Sequence, residues 1–145
     1  IIKPELPDVI LEIGSGGGYT TSVLANLVNT VYSIEQDKDV YDLTTKNIKK
    51  NNCINVNVFF FNYRQLNVLD QKFSKIIING TVNADPLNLL DQLNVNGKLI
   101  CILKEENSSS IYLFSKKRSG YEKLKIMNAS APILINYIDK EEFYF

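Results

Sequence analysis

The chain predicts an α/β fold built on a mostly parallel sheet with helices on both faces, and three observations point to it. Apolar runs of strand length alternate with stretches of helical spacing over residues 9–104. The first run, Val9-Ile10-Leu11, leads through Glu12 into a turn of small residues, Gly14-Ser15-Gly16-Gly17-Gly18. A helical pattern at Val23, Leu24, Leu27 and Val28 follows it. After Leu103 the alternation stops, and the remaining strands lie too close together in sequence for helical crossovers. The expectation is five parallel strands followed by antiparallel ones, in a single domain spanning residues 1–145.

Pro4 and Pro7 punctuate the approach, and Asp8 precedes the first strand, residues 9–13. Thr20 and Thr21 are placed to cap or open a helix running to about Asn29. Residues 31–34 read as a buried strand ending at Glu35. From Asp37 the pattern turns helical, with Val40, Leu43 and Ile48 on one side and Lys46, Lys49 and Lys50 on a solvated face. Its acidic start and basic end suit the helix dipole. Asn51-Asn52 close it, and residues 56–61 make a third strand whose Phe59-Phe60-Phe61 run reads as strand core.

Residues 64–71 read as loop with a short helical turn, and residues 75–78 as a fourth strand followed by Asn79-Gly80. Pro86 suits a helix start, with Leu87, Leu89, Leu90 and Leu93 as its apolar face. Asn96-Gly97 reads as a turn into a fifth strand, residues 98–104. Residues 109–116 and 121–127 then join by hairpins. Residues 128–145, with Pro132, Tyr137, Phe143, Tyr144 and Phe145, read as extended or irregular.

Composition removes several function classes. Sixteen basic residues balance sixteen acidic ones, so no global field draws nucleic acid or an anionic membrane. No apolar run is long enough to span a bilayer as a helix. Cys53 and Cys101 fall in separate elements without a pairing pattern, which reads as free thiols in a reducing compartment, the cytoplasm. The chain has no histidine, which removes the commonest general base, the usual hydrolase triads and most zinc sites; no metal site is expected. It opens Ile1-Ile2-Lys3-Pro4, close to the first strand, and reads as a segment whose N-terminal part is absent.

The candidate site is the glycine turn and what the strand ends bring beside it. Such a turn needs backbone of positive φ, which a Cβ resists, and it lets a ligand press on bare main chain beside a helix N-terminus. Dinucleotide enzymes usually show G-x-G-x-x-G. Here the glycines fall at alternate positions, Gly14, Gly16 and Gly18, two residues after Glu12. Glu35, at the C-terminal end of the second strand, can accept both hydroxyls of a ribose, and its charge would repel a 2′-phosphate.

Glu12-x-Gly14-x-Gly16-x-Gly18 resembles motif I of the S-adenosylmethionine-dependent methyltransferases, and antiparallel strands closing a mostly parallel sheet resemble their fold. Within them, three blocks are similar to the protein-L-isoaspartate (D-aspartate) O-methyltransferase family: VILEIGSGGGYTTSVLANL; VYSIEQDKDVYDLTTKNI followed by NVNVFF; and FSKIIINGTVNADPLNLLDQLNVNGKLI. Ala131-Pro132 looks like the ending of a bacterial subgroup. The resemblance implies S-adenosyl-L-methionine as cofactor, with Gly14, Ser15, Gly16 and Tyr19 along its methionine part and Glu12 and Gly18 completing the turn. It implies Glu35 on the ribose and Gln36 near the adenine.

Where the family usually reads Gly-Asp-Gly-Arg after the third strand, this chain reads Phe61-Asn62-Tyr63-Arg64. Asn62 keeps an acceptor without the charge, and Tyr63 either crowds the pocket or stacks on the ring. Asn79 stands in place of an acid or threonine. The implied reaction is repair of damaged protein, by methyl transfer to the carboxylate of an isoaspartyl residue in a protein or peptide. That acceptor is ionised at neutral pH and needs no general base, which suits a chain without histidine. The family's substrate loop would fall before Ile1, so no catalytic residue is assigned. The alternatives are a cofactor-binding domain without turnover, a methyltransferase for another acceptor, and an NAD-dependent enzyme. Asn79-Gly80-Thr81-Val82 is not the Asn-Pro-Pro-aromatic element of amino-group DNA methylation. Oligomeric state is not legible.

Overall fold

Val9–Ile13 forms the first strand, β1, at the centre of the sheet, where both faces are covered. Ile10, Leu11, Glu12 and Ile13 are all closed to solvent. The computed structural model of the chain describes residues 1–63 and 69–135. Among these, β1 is followed by α1 (Tyr19–Ala25), β2 (Thr30–Glu35), α2 (Lys38–Lys50), β3 (Val56–Phe60) and β4 (Phe73–Val82). Then come α3 (Leu87–Leu90), β5 (Leu93–Lys104), β6 (Ser109–Lys116), β7 (Tyr121–Asn128) and β8 (Ile133–Ile135). The strand order is β3-β2-β1-β4-β5-β6-β7, with β8 pairing β4. The first five strands run parallel, as does β8, and β6 and β7 join antiparallel.

The register positions the site. Ile13 pairs Ile34 on one side and Ile78 on the other, so the glycine turn, Glu35 and Asn79 all emerge at one sheet edge, beyond the C-terminal end of β1. Alternation along β1 divides the core. Ile10 packs with Leu24, Val28 and Val31, whereas Leu11 and Ile13 join Ile34, Ile76, Leu89, Leu90, Leu99 and Phe114. Each fully buried Leu or Ile is worth about 1.5–3 kcal/mol over exposure, so the frame is rigid where the strands end. No helix among the described residues is long and apolar enough to cross a membrane.

Several elements differ from the sequence reading. α1 stops at Ala25 rather than near Asn29, because Asn29 and Thr30 turn their amides to the Asp8 carbonyl to start β2. Thr20 and Thr21 open it as first-turn residues but do not cap it; the capping position is Gly18, with no side-chain bond. Asp37 caps α2 instead, accepting from the amides of Asp39 and Val40. Leu43 is 49% exposed, and Thr44 and Ile48 take the inward face of α2.

β3 is an edge strand, so Phe60 is exposed, while Phe59 stacks between Tyr32 and Phe61. β4 runs through Asn79-Gly80 because β8 supplies a partner at Thr81 and Val82. Asn96-Gly97 is an irregularity inside β5, not a turn before it: Phe73 pairs Leu93 but Lys75 pairs Lys98, and Asn96 takes a positive φ of 68°. α3 is a single turn, and Leu93 belongs to the strand after it. The helical turn expected in 64–71 falls largely outside the described residues, as do the aromatics of the tail at 137 and 143–145.

Candidate active site

Glu12 is fully buried beneath the glycine turn, and its carboxylate is bonded on every side. Oε2 accepts from the hydroxyls of Thr21 on α1 and Ser33 on β2, and Oε1 accepts from Asn79 Nδ2 at 2.9 Å. Asn79 Nδ2 also donates to the Gly14 carbonyl at 3.0 Å. Three elements, α1, β2 and β4, therefore converge on a carboxylate carried by β1. Burial pushes the Glu12 pKa up, the three donors oppose that, and the Glu35 charge adds to the rise.

Above this the main chain is bare. Gly16 has φ +55°, and a Cβ placed there would meet nothing within 4 Å, so the turn offers open backbone to a ligand. Asn47 Nδ2 holds the turn from α2 through the Gly17 carbonyl at 2.8 Å, and the Gly14 amide bonds the Ile34 carbonyl at 2.9 Å. The turn is thus pinned at both ends and free at its middle.

Glu35 ends β2 and is only 5% exposed. Its Oε1 accepts from the amides of Gln36 (2.8 Å) and Asp37 (3.1 Å) and from the Tyr63 hydroxyl (2.7 Å). Its Oε2 takes one long bond, 3.3 Å, from Ser15 Oγ, which also shares a 2.7 Å bond with Thr44 Oγ1. Tyr63 is 1% exposed, and burial together with the neighbouring carboxylate raises its phenol pKa, so it stays a donor. Its amide bonds Gln36 Oε1 at 3.4 Å.

The structure thus gathers Glu12, Gly14, Ser15, Gly16, Gly18, Glu35, Gln36, Tyr63 and Asn79 around one edge of the sheet. Asn62 lies exposed beside Tyr63, and Tyr19, 82% exposed, stands outside the hydrogen-bonded cluster. Sequence reasoning missed Thr21 as a carboxylate donor, and Ser33, Thr44 and Leu134 altogether. A buried hydroxyl inside an apolar strand or helix face, as at Ser33 and Thr44, is the signal that points to such partners. Leu134, on β8, packs against Gly14 and Gly80, and no local pattern announces it.

Two buried carboxylates whose hydrogen bonds, among the described residues, come from hydroxyls, backbone amides and a carboxamide repel a phosphate. They suit a ligand that carries hydroxyls and positive charge.

Known proteins resemble the chain in sequence and in fold. The family model described as Protein-L-isoaspartate(D-aspartate) O-methyltransferase (PCMT) matches residues 5–141. A protein-L-isoaspartate O-methyltransferase of Bradyrhizobium sp. (strain ORS 278) is 35% identical over 91 residues, which is 63% of this chain and 42% of the relative. A probable cobalt-precorrin-6B C(15)-methyltransferase (decarboxylating) of Methanococcus vannielii is 34% identical over 111 residues, 76% of this chain and 60% of the relative. Among solved structures, the beta-aspartate methyltransferase (PCMT) of Plasmodium falciparum in complex with S-adenosyl-L-homocysteine superposes with a TM-score of 0.79 at 24% identity. That match covers 92% of this chain and 67% of the other. The chain spans about half the length of the curated relatives it matches.

Proposed function

Because the chain belongs to the protein-L-isoaspartate(D-aspartate) O-methyltransferase family, we propose that it binds S-adenosyl-L-methionine and methylates the carboxylate of isoaspartyl residues in damaged proteins. The observation that carries this reading is the open main chain at Gly16 held between two buried carboxylates, Glu12 and Glu35. A cofactor with an ammonium, a sulfonium and a ribose diol matches that charge pattern; a dinucleotide with its phosphates does not.

In this reading, residues 1–145 form one cofactor-binding domain. Gly14, Ser15, Gly16 and Gly18 line the methionine part, with Tyr19 at its open side. Glu35 holds the ribose, and Gln36, Asn62 and Tyr63 border the adenine. Glu12 and Asn79 act from below, keeping the turn in one shape. When bound, the cofactor supplies a methyl group on a positively charged sulfur that a carboxylate can take directly. The acceptor is ionised at neutral pH, so the chain needs no general base, and its contribution is to position the reactants and exclude water. No residue of the chain is assigned a catalytic role. The free thiols of Cys53 and Cys101 support a reducing, cytoplasmic setting, and the balanced charge supports a protein rather than nucleic-acid acceptor.

Calorimetric titration with S-adenosylhomocysteine and with NAD, followed by transfer of labelled methyl to an isoaspartyl peptide, tests the proposal. Binding of the first ligand alone, with methyl ester formed, is the expected result. Absence of heat with S-adenosylhomocysteine sinks the cofactor assignment. Tight binding without transfer assigns the chain to another acceptor or to binding alone.

A further inference from the structure

Glu35 is expected to grip a ribose diol with two oxygens, yet in this chain one of them is already spent. A carboxylate accepts about four hydrogen bonds in all. Oε1 takes three donors at 2.7, 2.8 and 3.1 Å, two of them backbone amides that a ligand cannot displace. Only the third, the Tyr63 phenol, is a side-chain donor. Oε2 has one weak partner, Ser15 Oγ at 3.3 Å, longer than an ordinary O–H···O bond, and Ser15 has a closer one in Thr44 at 2.7 Å. Oε2 is the oxygen left for a ligand.

We infer that Tyr63 is a specificity-determining residue of the nucleoside site: by holding Glu35 Oε1, it leaves the carboxylate able to read one ribose hydroxyl instead of two. The inference rests on the cofactor reading above and adds to it a residue peculiar to this chain. The Tyr63 side chain is buried against Ile34-side core residues and donates throughout the working pH range, so the restriction is built in rather than incidental. The physical consequence is a site that ranks ligands by one hydroxyl. A phenol-to-carboxylate bond is charge-assisted, and a ribose hydroxyl gains little by replacing it.

The test is calorimetric titration of the wild type and Tyr63→Phe with S-adenosylhomocysteine and with its 2′-deoxy and 3′-deoxy counterparts. The phenylalanine variant keeps the buried ring and frees the one position on Oε1 that the phenol holds, the two backbone amides remaining. The wild type should lose about tenfold in affinity on removal of one hydroxyl and almost nothing on removal of the other. Tyr63→Phe should bind the parent ligand about tenfold more tightly and lose affinity on removal of either hydroxyl. A wild type that needs both hydroxyls overturns the inference, and that comparison stands alone if the variant fails to fold. A variant that binds the parent ligand equally or more weakly also overturns it. If neither protein binds S-adenosylhomocysteine, the cofactor reading itself fails and this inference goes with it.

Discussion

Asn79 Nδ2 bridges the Glu12 carboxylate and the Gly14 carbonyl, at 2.9 and 3.0 Å, so one exposed side chain on β4 ties the buried acid of β1 to the turn that follows it. The bridge works because a carboxamide donates two hydrogens without bringing charge. An acid at the same position would face two acceptors with none to give.

Asn79→Asp should therefore destabilise the fold by about 1–2 kcal/mol at neutral pH, through two lost donations and a second carboxylate beside Glu12. Glu12 already titrates above its usual value of 4.5, chiefly from burial. A folded-state pKa raised above the unfolded one contributes stability at low pH that is lost as pH rises through it. The added charge pushes Glu12 further in the same direction. Urea denaturation at about pH 8 and about pH 5 should thus show the deficit shrinking at the lower pH. A deficit that is equal at both, or grows in acid, would contradict the bridge.

A second prediction concerns the close approach of β8 to β4. A Cβ on Gly80 would lie 2.6 Å from Leu134 Cβ, an atom too near the backbone to swing away. Thr81 fixes β8 there, its amide bonding the Pro132 carbonyl at 2.9 Å and its hydroxyl the Ala131 carbonyl at 2.7 Å. Gly80→Ala should cost about 1–3 kcal/mol by overpacking. Leu134→Gly in the same chain should recover part of that cost, whereas Leu134→Ala, which keeps the Cβ, should not. Additive effects in the Gly80→Ala, Leu134→Gly pair would show that the contact is not what constrains position 80.

These contacts also mark how far the sequence could be read. Apolar runs at Val9-Ile10-Leu11 and Ile76-Ile77-Ile78 point to central parallel strands, because only a sheet covered on both faces buries such runs. The glycine turn and Glu35 were legible because a tight turn and a strand-end acid need particular residue types. β8 was not, since three residues carry no period, and its place is set by the space that Gly80 and Gly14 leave for Leu134. Asn96-Gly97 read as a turn because that dipeptide favours one locally, but pairing with β4 on either side absorbs it as an irregularity. In sequence Tyr63 reads as crowding or stacking; its bond to Glu35 joins residues 28 apart, a relationship no local pattern encodes.

The ion pair at the opposite end of the sheet gives a third prediction. Lys75 Nζ bonds the Asp8 carboxylate, and both side chains are nearly closed to solvent. Burial pulls the Asp8 pKa upward, but Lys75, the Glu5 amide and Ser74 outweigh it and hold the group below its usual 3.8. A depressed folded pKa contributes stability above the unfolded value and loses it as pH falls through the folded one. Wild-type stability should therefore decline as pH drops below 3.8. Asp8→Asn should be weaker by about 3 kcal/mol at neutral pH, with Lys75 left buried and unpaired, and flatter on the acid side. An acid limb as steep as that of the wild type would assign the decline to other carboxylates.

The two cysteines give the fourth, and they separate burial from chemistry. Cys101 on β5 is 2% exposed, and its thiol is pushed up to about 12, first by burial and then by the Asp85 charge, against a smaller pull from Lys123. Cys53, just past α2, is partly open, and its sulfur lies 3.8 Å from the Asn51 carbonyl. The thiolate is the reactive form, so a rise from an ordinary 9.0 to about 12 lowers the reactive fraction near neutral pH about a thousandfold before access is considered. Titration of the native protein with an aromatic disulfide reagent at about pH 8 should count one fast thiol per chain, and a second only after denaturation. Cys53→Ser should leave the native protein silent while Cys101→Ser leaves the fast phase intact. Two fast thiols in the native wild type would mean that β5 opens far more readily than its packing between β4 and β6 implies.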